Sequence, residues 1–303
     1  MRARWPWLTG SMLVACNAVS GVRDLKLVDC VDCAEAGATI ADAGSADTGR
    51  VTDTGTAPPA DQRAPDVAVD TRPAGASYCG GITFNAPFDA DLNSAAGQNP
   101  TTSDPVSLSP GRYSNAATLT TAAVFWDATV KPLHNKDVGT VALWMKPNFI
   151  LKTTDMRGLY RPRTGQGAAA NNAGPGITIE GLTVVMENQD GMQAKVTIAA
   201  DQVAANWTPT GFMLFVGTWN RTGMPAGAPT LTLTLSSTVG STTVTTTEPW
   251  TPGNEAKFIR VGSQTAQSQM LADDVTLWNR QLGAQEIKDL FVAPLGVTAT
   301  CGM

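Results

Sequence analysis

Strict alternation is the feature that most limits what this chain can become. In Leu231-Thr-Leu-Thr-Leu235 apolar and hydroxyl side chains fall on opposite sides, as in a strand with one buried face. Gly240 breaks the run, and the threonine-rich stretch 242–247 can return as its hairpin partner. Further strand candidates are 81–88, 122–128, 139–145, 177–187, 192–198, 212–219, 257–261 and 270–278. Turn residues separate them, such as Asn188-Gln-Asp-Gly191, Thr222-Gly-Met-Pro225 and Thr251-Pro-Gly-Asn254. Many short strands between Gly/Pro turns predict an all-β fold, a two-sheet antiparallel jelly-roll sandwich. One short C-terminal helix is expected at 284–291, where Ile287, Leu290 and Phe291 share a stripe that must dock on a sheet. Gln285 and Glu286 stand in its first turn, where acceptors suit the helix dipole.

Composition narrows the chemistry. Charged residues are only 16% of the 303, and the formal net charge is −5, with no Lys/Arg-rich run. Phosphate-backbone binding is therefore not expected, so nucleic acid is left out as a partner. With one His and five Cys, redox and metal chemistry have little to work with.

The chain opens on an address. Arg2 and Arg4 precede an apolar stretch, residues 5–15, interrupted only by Thr9 and Ser11. That is too short for a bilayer core of ~30 Å, which takes about 20 residues, but it suits a secretory leader. It ends in Leu13-Val14-Ala15-Cys16, which resembles the bacterial lipobox. The resemblance implies cleavage before Cys16, a lipid on its thiol and a place in the outer membrane or at the cell surface. Each buried CH₂ contributes about 0.8 kcal/mol, so two or three chains hold where one is marginal. Residues 34–78 contain no Leu, Phe, Trp or Met and cannot bury enough apolar surface to fold. The organisation expected is a signal peptide at 1–15, a lipidated tether at 16–78 and one folded domain at 79–303.

Four cysteines remain. Cys79 and Cys301 bracket the β-rich region, which favours a disulfide pinning its two ends. Cys30 and Cys33 have redox or metal spacing, but no βαβ pattern surrounds them and no His lies near, so a small local disulfide is the plainer reading.

Several segments resemble laminin G-like, concanavalin A-like lectin-glucanase jelly rolls. Phe84-Asn-Ala-Pro-Phe88-Asp-Ala-Asp91 resembles their opening strand, and Val138-Gly-Thr-Val-Ala-Leu-Trp-Met-Lys-Pro147 a following one. Phe212 to Asn220 resembles a third. The fullest match is Leu271-Ala-Asp-Asp-Val-Thr-Leu-Trp-Asn-Arg-Gln-Leu-Gly-Ala-Gln-Glu-Ile287. The likeness covers 79–296 and departs at Gly283, where the family has a Ser or Thr cap. It implies that Asp273 either ties down loop amides or helps hold one structural calcium ion, with Asp89 and Asp91 as partners if the domain ends meet. By alternation Asp273 shares its face with Val275 and Leu277, which draw it toward the core, at a cost unless it is compensated.

Catalysis finds no foothold. Glu180 and Glu187 fall on opposite faces of an unbroken strand and lack the intervening Asp of a retaining glycosidase. No Gly-x-Ser-x-Gly elbow accompanies His134, and Tyr160-Arg-Pro-Arg163 reads as a solvated loop whose cations could contact an acidic glycan. Trp144, Trp219 and Trp278 occupy packing positions of the resemblance. Trp126, Trp207 and Trp250 are the candidates for stacking on sugar rings. The expected role is non-catalytic binding of glycan, matrix or a partner protein. A degenerate glycoside hydrolase and a passive structural coat component are the alternatives.

Overall fold

The computed structural model describes residues 76–129, 132–166, 171–188, 194–222, 228–251, 254–263 and 268–303. The leader, Cys16, Cys30, Cys33 and most of the tether lie outside the described residues.

The alternating segments close into two antiparallel sheets. In chain order the strands are β1 (Ile82–Ala86), β2 (Thr101–Thr102), β3 (Ser107–Pro110), β4 (Asn115–Leu119) and β5 (Ala123–Asp127). There follow β6 (Val138–Pro147), β7 (Met156–Arg163), β8 (Pro175–Glu180), β9 (Thr183–Asn188) and β10 (Lys195–Ile198). The last five are β11 (Met213–Asn220), β12 (Thr230–Ser237), β13 (Gly240–Thr246), β14 (Phe258–Gly262) and β15 (Met270–Trp278). Sheet A has eight strands in the order β13-β12-β11-β6-β15-β4-β3, with β1 also paired to β15. Sheet B has seven, in the order β10-β9-β8-β7-β14-β5-β2. The core between them takes Leu231, Leu233 and Leu235 from sheet A, as their spacing predicts, and Trp126, Tyr160, Ile177 and Met186 from sheet B.

A second apolar cluster lies on the outside of sheet A. Helices α2 (Ala284–Val292) and α3 (Val297–Cys301) press Ile287, Leu290 and Val297 against Ala142, Trp144, Leu214, Val216 and Trp278. Tyr78, at the end of the expected tether, is buried in this cluster within a short helical turn, Ser77–Cys79. Cys79 and Cys301 are joined by a disulfide with their Cα atoms 5.4 Å apart.

The structure departs from the alternation in four places. A third helix, α1 (Ala200–Asn206), buries only Val203 and Asn206, too little for a helical stripe to show. Residues 177–187 are not one strand: Gly181, at φ +61°, turns β8 back into β9, so Glu180 and Glu187 share the outer face of sheet B. Tyr160-Arg-Pro-Arg163 is no loop but the end of β7, deep in sheet B. Asp273 does not face the core either. A bulge between Asp273 and Thr276, with Asp274 at φ +42°, flips the parity of β15. Met270 and Ala272 point inward before it, and Val275 and Leu277 after it.

Candidate binding groove

The groove follows from which side chains leave sheet A on its outer side. On β6 and β11 they are Ala142, Trp144, Leu214 and Val216, and the C-terminal helices cover them. On β12 and β13 they are hydroxyls, paired across the strands: Thr232 with Thr245 at 2.9 Å, Thr234 with Thr243 at 2.9 Å and Ser236 with Ser241 at 2.8 Å. One hydroxyl of each pair spends its hydrogen on the other, which leaves one free donor and spare lone pairs per rung. Beside this ladder α2 supplies a wall of Ile287, Lys288, Phe291 and Val292, and the intervening groove has a volume of about 930 Å³. Lys288 is the one charged side chain among its lining residues.

The wall is held from below and from both ends. Thr140 Oγ1 donates to Arg280 O and accepts from Leu282 N, fixing the approach to α2. Glu286 makes the return contact of a capping box: its carboxylate accepts from Gly283 N at 2.8 Å and pairs with Arg280 at 2.8 Å. That cation holds the Glu286 carboxyl below its usual range. At the far end Phe291 stacks on Trp144 at 5.5 Å. The Arg112 guanidinium lies 3.7 Å over the Trp144 ring and donates to Phe291 O.

Arg112 is positioned by Asp273, the first of two adjacent acids of β15. Asp273 and Asp274 stand where β15 exchanges β4 for β1 as its neighbour. Asp273 Oδ2 accepts from Arg112 N at 2.7 Å, and Asp274 accepts from Val297 N at 2.7 Å and Asn85 Nδ2 at 2.6 Å. The two carboxylates thereby tie the β3–β4 turn and the start of α3 to the sheet. Desolvation pushes Asp273 up to about 7 and Asp274 up to about 6.

The residues expected to hold a calcium ion differ in placement, Asp273 being buried. Asp89 and Asp91 are exposed, and Asp91 is occupied with Asn93 N at 2.7 Å. Among the described residues no group of three or more His, Cys, Asp or Glu side chains could share an ion. Asp273 spends one oxygen on loop amides, while its Oδ1 is buried without a partner.

Two of the three expected sugar-stacking tryptophans, Trp126 and Trp250, are buried. Trp126 is 0% exposed and packs edge-on to Phe84 at 5.1 Å, because β5 points it into the core. Trp250 is 4% exposed within the same core. Trp207 is half-buried against Phe149 at 5.8 Å. His134 is stacked on Trp219 at 4.8 Å with Nδ1 2.8 Å from Tyr160 Oη, and burial pushes it down to about 3, so it stays neutral. Glu180 and Glu187 lie on one face: Lys195 pairs with Glu180 at 2.8 Å, while burial and the neighbouring Glu180 charge raise the Glu187 carboxyl above its usual range. The hydroxyls of the groove were signalled in the sequence by the same alternation that placed Leu231, Leu233 and Leu235 inside. The contribution of α2 was not.

By fold the chain is a two-sheet β-sandwich domain. No family model matches it, and no curated protein is significantly similar in sequence. Solved structures of similar architecture include the binding domain of botulinum neurotoxin DC in complex with SialylT, with TM-score 0.55 and 15% identity over 71% of this chain and 52% of that one. The binding domain of Paraclostridial mosquitocidal protein 1 matches with TM-score 0.52 and 14% identity over 70% of this chain and 52% of that one. The neurotoxin DC domain in complex with rat synaptotagmin II gives TM-score 0.52 and 14% identity over 71% and 52%. The chain thus spans about half the length of the chains it matches, and at these identities the likeness is one of fold.

Proposed function

We propose that the folded unit is a non-catalytic receptor-binding domain that takes a saccharide in the groove between the hydroxyl ladder and α2, and that a lipid on Cys16 holds it at a bacterial cell surface. The observation that carries the reading is the groove itself. Rungs of hydroxyls at strand spacing offer donors and acceptors to sugar hydroxyls, while Phe291 and Val292 offer apolar surface to the ring faces. A single cation on the wall suits a neutral or weakly acidic sugar. Solved sandwiches of this architecture bind SialylT in one case and synaptotagmin II in another, which supports recognition of a glycan or a protein receptor as the role.

A glycan array probed with the full chain, followed by calorimetry on the hits, tests the groove. Thr232→Val and Thr234→Val should each weaken a hit by about tenfold, the worth of a buried hydrogen bond left unmade. Hits of unchanged affinity in both variants would move the site elsewhere, and capture of a protein with no glycan hit would replace the ligand class. For the anchor, Cys16→Ala should shift the protein from the membrane fraction to the soluble one.

A further inference from the structure

The arginines of β7 and β14 have no part in the groove, and Arg260 among them lacks what a buried cation requires. Cross-strand pairing sets Phe125, Arg260 and Arg161 side by side on the outer face of sheet B. Arg157, on the same strand as Arg161, is compensated by Asp155 at 3.2 Å and by the Phe149 ring at 3.7 Å. Arg260 is not. It is 6% exposed and, among the described residues, its side chain has neither a hydrogen bond nor an ion pair, and its Nε faces no acceptor. Arg161 spends Nη2 on Thr178 Oγ1 at 3.0 Å and leaves its Nε equally without an acceptor. Both guanidiniums converge over bare backbone: a Cβ at Gly158 would come 3.2 Å from Arg260 Nη2 and 3.3 Å from Arg161 Nε. The neighbouring charges are Arg163, which donates to Asn172, and Glu180 and Glu187 on the β8–β9 side of Arg161. Burial and the two cations beside it bring Arg260 down to about 9. Two adjacent guanidiniums without a carboxylate between them are costly unless an anion joins them.

We infer that Arg161 and Arg260 form an oxyanion site over Gly158, fitted to the carboxylate or sulfate group of an acidic saccharide. Guanidinium forks match such planar or tetrahedral oxygens, and each unfilled Nε–H supplies a charge-assisted donor. The site lies on the opposite sheet from the groove and does not depend on it.

Arginine Nε–Hε resonances of the ¹⁵N-labelled full chain test the inference. Sodium sulfate and methyl glucuronide should shift the Arg161 and Arg260 signals saturably, while methyl glucoside leaves them in place. Saturation by sulfate but not by the glucuronide would support the site and assign it to a free anion. Arg260→Gln should weaken sulfate by about tenfold, Gly158→Ala should do so by filling the cradle, and Thr234→Val should change nothing here. Should Arg260→Gln fail to fold, Arg161→Gln and Gly158→Ala decide. Equal, unsaturable shifts across all arginines would reduce the effect to screening and overturn the site. So would full affinity in the Gly158 and Arg161 variants.

Discussion

The two halves of sheet A's outer face share one backbone register and differ in what stands on it. On β6 and β11 the outward residues are Ala142, Trp144, Leu214 and Val216, and the last segment of the chain folds over them. On β12 and β13 the outward residues are Thr232, Thr234, Ser236, Ser241, Thr243 and Thr245, and they line an open groove. The covered half shows how a sheet face becomes a second core: apolar outward positions recruit a helix that is too short to be stable alone. The hydroxyl half shows the reverse. Its side chains pair with one another and offer no apolar face to bury, so nothing drives the helix to slide across them, and α2 ends as a wall.

Variants on the two halves should therefore separate stability from binding. Trp144→Ala removes the ring that carries Phe291 and Arg112, and chemical denaturation should record a loss of about 3–5 kcal/mol. A smaller loss for this variant than for a single hydroxyl change would erase the contrast. Replacing Cys79 and Cys301 by serine releases both ends of the covered half and should cost about 2–4 kcal/mol; unchanged melting would show that packing alone holds the helices. Asp273→Asn probes the tie beneath Arg112. Asp273 is raised to about 7 in the fold, so the folded state holds more protons than the unfolded chain. Its contribution is full below the unfolded value and is lost as pH rises through about 7. The amide mimics the protonated acid, so the variant should match the wild type near pH 4 and exceed it at pH 8 by about 1–3 kcal/mol. A variant less stable at both pH values would mean that the carboxylate is held charged. At the other end of the scale, Thr234→Val should leave stability within about 0.5 kcal/mol while weakening saccharide binding by about tenfold.

The sandwich was legible because its strongest strands obey period two. Leu231, Leu233 and Leu235 face inward, and the Thr and Ser partners that mark the groove face outward. What escaped was built from side chains that break the rule. Asn115-Ala-Ala-Thr-Leu119 has too little contrast to show as a strand, and Arg161-Pro162-Arg163 looks solvated because arginine and proline seldom enter a sheet interior. The bulge at Asp273 and Asp274 was hidden because alternation presumes no extra residue, yet it turns Asp273 away from the core. Trp126 and Trp250 were misjudged because a lone tryptophan does not say which way its strand faces.

The bond between Cys79 and Cys301 gives the folded unit a single attachment point for both of its ends, with 5.4 Å between the Cα atoms. A pull arriving from the N-terminal side passes through sulfur into the C-terminal segment, and so is shared between two strands of chain instead of unzipping β1 from its edge. The same closeness makes the unit a cassette: it can be spliced into an exposed loop of another protein, or opened at a distal hairpin and rejoined at the bond, without stretching the sandwich.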